Sequence, residues 1–532
     1  MSVPSQSQQL IPDLSTGKRI LSCISRTDQQ LASGEITGFL DSLLMSPLNT
    51  DNIFELLEDA SQPVASIAKE LAKHYLDKPI PLGDIEESFF QQVSQLCQKM
   101  AKAYAFCAEK SLPDPDDQQS ATLLHRCIHF TGIAILEHQR ARREVPWGLW
   151  LKLHGYYSMA EELKLATFAI PNVFDPQATE EDAMHCAAAY TAFILCDMAG
   201  SYSLTLHDQK LVRRWAVACS PLTSLHSFAL GEVLPQFVVN LVHDTALHPA
   251  TESLNTDQLR RLDVSHLADW LRKTRKKLKQ RVSPSQLGLG DDCTPLQCSR
   301  LLKHLSRQWS QGRAARKYRR HSSSGATYIC TGFEDMHFLI SGNEFHQPNN
   351  VRIYAHQGFD RVFGLRSEET IQQSHHFNKE NFLASDKVDT WEVVNQSANG
   401  FCLVRSTSGQ NMVHKQLLAL RPHDSERCLL AQVVWLVQEH KGGLIAGITA
   451  LPGLPTAISF RHSEKQGEPY RQAFLLSTQE IANEEEPSLI LPTGWYRPDL
   501  TIEIFDKEVQ TARLEELLER GPGFDRVKFE FC

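Results

Sequence analysis

The stretch Trp391-Glu-Val-Val-Asn395-Gln-Ser397-Ala-Asn399-Gly400-Phe-Cys-Leu-Val404 decides how the carboxy-terminal third of the chain folds. Two short runs of β-branched and aromatic residues flank six residues dominated by Asn, Ser and Gly, which reads as strand, turn, strand. Comparable runs surround it: Ala326–Thr331, His337–Ile340, Gln416–Leu420, Ala431–Val437 and Leu444–Leu451. Runs of this length, divided by turn residues at short intervals, predict a small antiparallel barrel over 321–463. Inside it, 343–386 is polar and rich in His, Asn and Gln, and is expected to be an insertion. Beyond the barrel, Gln472–Ser477, Ser488–Leu491 and Leu500–Phe505 read as strands, Ala512–Arg520 as helix-like and Asp525–Phe531 as a last strand. The segment 464–532 is therefore a β-rich extension or a second small barrel.

Upstream the period changes from two to about 3.6. Apolar residues recur at three- and four-residue steps from Ile53 onward, for example Phe89, Phe90, Val93, Leu96, Met100 and Tyr104. Further helices are expected over about 117–142, 147–168, 178–200, 207–219 and 223–245. Residues 46–257 thus form a helical domain, bundle or repeat-like, preceded by a weakly patterned leader over 1–45. Residues 258–320 are a basic helical connector. It carries Arg272–Arg281, a polar break around Gly288 and Gly290, an amphipathic run from Leu296 to Trp309, and the arm Arg313-Ala-Ala-Arg316-Lys-Tyr-Arg319-Arg320. The fold class is multidomain α+β: an all-α amino-terminal region, an antiparallel barrel and a β-rich carboxy-terminal extension.

The 532 residues suffice for about three domains, and their net charge of −9 argues against wholesale binding to nucleic acid or membrane. The 13 cysteines lack any CxxC pair, which points to a reducing, cytoplasmic setting rather than a disulfide or metal framework. The polar start lacks the pattern of a signal peptide, and no apolar run is long enough to span a bilayer. No P-loop, nucleophile elbow or H-E-x-x-H occurs, so a non-enzymatic protein without cofactor or metal is expected.

Arg316 and Arg320 form R-x-x-x-R, with Arg319 and Arg313 beside them, and Asn395, Ser397 and Gly400 form N-x-S-x-x-G. Guanidinium groups fork onto phosphate oxygens, pair bidentately with guanine O6 and N7, and stack on purines. Asn and Ser complete such hydrogen bonding, and a glycine admits close backbone approach. At these residues the chain resembles the PilZ family of cyclic di-GMP receptors, whose signature is R-x-x-x-R followed by D/N-x-S-x-x-G. The resemblance covers 313–461. It implies a ligand, cyclic di-GMP, held by Arg316, Arg319, Arg320, Asn395, Ser397 and Gly400, and a protein partner, of motility, biofilm or secretion machinery, to receive the signal. About 75 residues separate the motifs here, against a few tens in the family, and Val434 stands where many relatives place an arginine before the tryptophan. Two rival readings are a ligand-independent scaffold with a degenerate barrel, and a nucleic-acid-associated protein using the basic segment 272–320.

Overall fold

In the computed structural model, residues 10–532 are described except 26, 112–116, 175–182, 228–235, 248–255, 311–320, 323–324, 349–382, 384, 398, 407–408, 424, 426, 464–466 and 478–485. The chain divides into two compact units, one of residues 1–78 and 82–316, the other of 79–81 and 317–532.

The first unit is built on helices α1 (Leu14–Cys23), α2 (Gln29–Met45), α3 (Thr50–Ala72), α4 (Asp84–Ser111), α5 (Asp117–Arg140), α6 (Leu149–Glu162), α7 (Cys186–Met198), α8 (Leu206–Cys219), α9 (Ser265–Lys279) and α10 (Pro295–Ser310). Starts are capped by short polar side chains: Asp28 accepts from Leu31 N–H at 3.0 Å, and Asn49 accepts from Asn52 N–H at 2.9 Å. The segment expected to be a loose leader is α1 and α2. Its Ile36, Phe39, Leu40 and Leu43 are buried in the helical core, and Asp13 and Asp28 supply the caps that the weak apolar pattern obscured.

Helix α5 is the central element, buried along most of its length. It carries Arg126, whose guanidinium pairs with Glu58 at 2.8 Å, and Glu137, which accepts the Tyr75 hydroxyl at 2.8 Å. The connector helices are part of this unit. Trp309 of α10 donates to the Leu195 carbonyl at 2.8 Å, and Arg300 pairs with Asp208 at 2.9 Å. In α9, Leu267, Leu271 and Leu278 are buried, while Arg272, Lys273, Lys276 and Lys277 are exposed.

The described residues of 223–245, expected to be a helix, form none. Strands β1 (Ile170–Pro171) and β2 (Ala183–Met184) pair with each other, and β3 (Ser224–Ser227) and β4 (Val238–Asn240) flank β5 (Leu259–Asp263). The run Phe237–Leu241 is short and β-branched, and pairing with Leu259–Arg261 outweighs its helix-like spacing.

In the second unit, a first sheet holds β6 (His321–Ser322), β7 (Ala326–Cys330), β8 (Val388–Gln396), β9 (Gly400–Arg405), β10 (Leu417–Pro422), β11 (Leu429–Gln438) and β12 (Leu444–Ala450). The order β8-β7-β10-β11-β12-β9, with β9 pairing back onto β8, closes it into a barrel, and β6 adds to β8. A second, closed barrel follows in the order β13 (Leu454–His462), β14 (Arg471–Ser477), β15 (Ser488–Pro492), β18 (Phe524–Phe531), β17 (Val509–Gly521) and β16 (Thr501–Phe505). The strand Leu454–His462, counted with the first barrel on sequence grounds, is the first strand of the second.

Two local expectations reverse. His337–Ile340 lies not in a strand but in helix α11 (Phe333–Ser341), which Gly332 enters at φ 87° and Gly342 leaves at φ 75°. Glu334 and Asp335 in its first turn complement the helix dipole. Ala512–Arg520, rich in helix formers, lies in strand β17 because β18 pairs along it, with β16 on the other side of Ala512 and Arg513. Bulges around Glu515 and Leu518 break the period-two pattern that would have marked it as a strand.

Helix α11 wedges the two barrels together. Met336 and Leu339 share one core with Leu417 and Ala419 of the first barrel and Phe474, Leu476, Ile490 and Phe524 of the second. The Phe474 ring lies 5.0 Å from Phe333, and the His337 imidazole Nε2 reaches the Ile458 carbonyl at 3.2 Å.

Two outcomes follow from this packing. Phe474→Ala should cost about 3–5 kcal/mol of the second unit's stability in denaturant titration; a cost under 1 kcal/mol would contradict a shared core. Burial pushes the His125 imidazole down to about 3, where it accepts from Arg126 at 3.0 Å. The unfolded chain binds that proton below its ordinary value near 6.5, so stability falls as pH drops from about 6.5 toward 3, by up to ~1.4 kcal/mol per unit for each such histidine. Unfolding midpoints at pH 7 and pH 5 should therefore differ, and less so in His125→Gln.

Candidate ligand-binding site

The turn joins β8 to β9. The Ser397 N–H donates to the Gly400 carbonyl at 2.7 Å, and the Ser397 hydroxyl donates to the same oxygen at 3.3 Å. A Cβ on Gly400 would lie 3.2 Å from that hydroxyl oxygen. The glycine is thus explained by the approach of Ser397; its φ is not positive. The Asn399 carbonyl accepts from Ala450 N–H at 2.9 Å, and Gly400 pairs with Thr449, so β12 holds the far side of the turn.

A bulge at Val394 changes the phase of β8 just before the turn. Val393 pairs with Leu403, which pairs with Ala446, which pairs with Leu436, and the last three are fully buried. One step on, Ser322, Asn395, Cys402, Gly447 and Trp435 stand opposite one another across five strands, and a matching bulge at Val434 keeps them in register. The following row contains Ile448 and Val433, again buried. Alternation therefore places the Asn395 row on the outer face of the barrel. Trp435 folds back over Gly447, where an added Cβ would fall 1.9 Å from its indole nitrogen. At about 4.8 Å per strand, that ring lies roughly 10 Å from Asn395. Trp435 thus forms part of the wall of this face, which its place in an apolar run did not reveal.

Strand β6 begins directly after the other motif in the chain. His321 pairs with Gln396 and Ser322 with Asn395. His321 is the residue that follows Arg320. Arg313, Arg316, Arg319 and Arg320 themselves lie outside the described residues, as does most of the insertion, including His356, His375 and His376.

The opposite end of the hairpin is pinned by a buried ion pair that sequence reasoning did not single out. Arg405 pairs with Asp389 and also donates to the Gln410 carbonyl at 2.9 Å. Asp389 accepts from Gln410 N–H at 2.9 Å, and the guanidinium sits 5.1 Å from the ring of buried Trp391. Asp389 and Arg405 occupy opposite ends of the motif 388–405, too far apart for local pattern to link them.

The family models for three consecutive domains match in chain order. The Cyclic-di-GMP receptor FimW N-terminal domain covers 16–230, its middle PilZ domain covers 236–381, and the FimW C-terminal beta-barrel domain covers 456–532. The chain carries a PilZ domain. The PilZ match ends ahead of β8, so the turn falls between the second and third matched segments. A relative, the cyclic-di-GMP receptor FimW of Pseudomonas aeruginosa, is 22% identical over 510 residues, covering 88% of this chain and 81% of its own. No solved structure matches the chain significantly.

In the helical unit, Asp244 caps α6, accepting from Gly148 N–H at 2.7 Å and Leu151 N–H at 3.0 Å. Among the described residues, no group of His, Cys, Asp and Glu could hold a metal ion, and no helix is long and apolar enough to cross a membrane.

Asp389→Ala would leave the Arg405 guanidinium buried and unpaired, and should destabilise the PilZ barrel by about 3–5 kcal/mol in chemical denaturation. A change below 1 kcal/mol would show that the pair does not hold the hairpin.

Proposed function

We propose that this chain is a non-enzymatic, cytoplasmic receptor for cyclic di-GMP. Arg316, Arg319 and Arg320 would grip phosphates and guanine edges, and Asn395, Ser397 and Gly400 would form the floor. The observation that carries this reading is the backbone pairing of His321–Ser322 with Gln396 and Asn395. It tethers the end of the arginine arm to the turn despite the long intervening sequence. The name of the P. aeruginosa relative supports the same ligand.

The proposed switch is ordering of the arm over the outer face around Asn395, with Trp435 as a flat wall for a purine. The change would pass to a protein partner, which the chemistry on this face does not identify.

Calorimetric titration of the full chain with cyclic di-GMP tests the ligand. Saturable binding is expected, and no binding at tens of micromolar ligand would overturn the proposal. Arg320→Ala and Ser397→Ala should each weaken binding by about 1.5–3 kcal/mol, the range for hydrogen bonds to charged groups. Nucleotide binding unaffected by either substitution would place the ligand elsewhere.

A further inference from the structure

Within the helical unit, two adjoining cavities of about 540 and 470 Å³ lie along α5, α7 and α8, and His129, Leu136, Cys196, Lys210 and Arg213 line both. That is the size range of small-molecule sites. The walls are mostly apolar, with Val64, Ile133 and Phe130 in the first and Phe174 and Phe193 in the second. Phe193 lies flat on α5 at Gly132, where an added Cβ would fall 2.3 Å from the ring. Phe174 stacks on the His129 imidazole at 3.8 Å and 5°. The second cavity is therefore walled by flat aromatic groups.

Most of the cations around these cavities are paired. Lys210 and Arg214 both pair with Asp292, at 2.9 and 2.8 Å. Arg140 pairs with Glu137, whose other oxygen takes the Tyr75 hydroxyl. Arg213 has no hydrogen-bond or ion-pair partner among the described residues, although it lines both spaces. It keeps a large accessible surface, part of which lines both cavities. His129 is likewise partly accessible but held well below its ordinary value by burial, which keeps it a neutral, stackable ring. Among the described residues, no carboxylate lines the second cavity.

An accessible guanidinium without a protein partner is free to take an anion through charge-assisted hydrogen bonds. A bare inorganic anion would leave the aromatic walls unused, and a neutral apolar molecule would leave Arg213 unsatisfied. We propose that these joined cavities form a second ligand site, distinct from the PilZ face, for a small organic anion: a carboxylate, sulfonate or phosphate monoester on a flat apolar body. The anionic group would meet Arg213, and the flat body would lie against Phe193 and the Phe174–His129 stack.

The probe is naphthalene-2-sulfonate, titrated into the full-length protein by calorimetry, with neutral 2-naphthol and inorganic sulfate as comparators. Saturable binding of one sulfonate per chain is expected, tighter than either comparator by at least tenfold. Arg213→Gln should weaken it roughly 10- to 100-fold. Arg272→Gln, on the exposed face of α9, should leave it unchanged. Should Arg213→Gln fail to fold by circular dichroism, Arg213→Lys, which keeps the charge, is expected to bind within a few-fold of the parent and tighter than Arg213→Met. No saturable sulfonate binding, or equal affinity in the parent and the uncharged variants, would overturn the proposal.

Discussion

The backbone pairing that closes the first barrel at β8 is the constraint on which the site depends. Asn395 is held by Ser322 on one side and by Cys402 on the other, so the turn cannot shift without breaking two ladders. The long separation between the motifs looks prohibitive in sequence but is cheap in free energy. Loop-closure entropy grows only as the logarithm of length, so going from a few tens of residues to about 75 costs roughly 1 kcal/mol. The five residue pairs between Ala326–Cys330 and Val388–Glu392 close that loop before β6 is reached. The insertion thus leaves the register of the site intact.

Rigidity comes from below and behind this face. The Asp389–Arg405 pair locks the far end of the hairpin, and α11 fills the space between the barrels with Met336 and Leu339. Because Phe474 and Phe524 share that core, the second barrel is a structural support of the first. The helical unit is organised differently, around the buried length of α5 and its two ion-pair networks, with a neutral His125 at its centre.

Much of this was legible in sequence where local pattern and tertiary need agreed. The strands around Asn395 combined β-branched residues with a turn signal, and the long helices combined caps with an unbroken apolar period. Legibility failed where partners remote in sequence decide. Residues 14–45 became helices because a core was available to receive Ile36 and Leu40. Leu514 and Leu517 joined a strand because β18 lay alongside, pairing them with Phe529 and Val527, against their helical propensity. His337–Ile340, four apolar or aromatic residues long, fits either period, and the flanking glycines settle it as α11. In the candidate site, the turn residues were visible as a motif. The outer-face row that adds Cys402, Gly447 and Trp435 was not, because it exists only through the register of four strands and two bulges.

The central claim is that the arginine arm and the turn act as one site. Hydrogen-exchange mass spectrometry on the full chain, with and without cyclic di-GMP, tests it most directly. The account predicts that nucleotide slows exchange together over 313–322 and 395–400, and that Ser397→Ala removes both effects. Protection confined to other segments, or no change in exchange at saturating nucleotide, would contradict it.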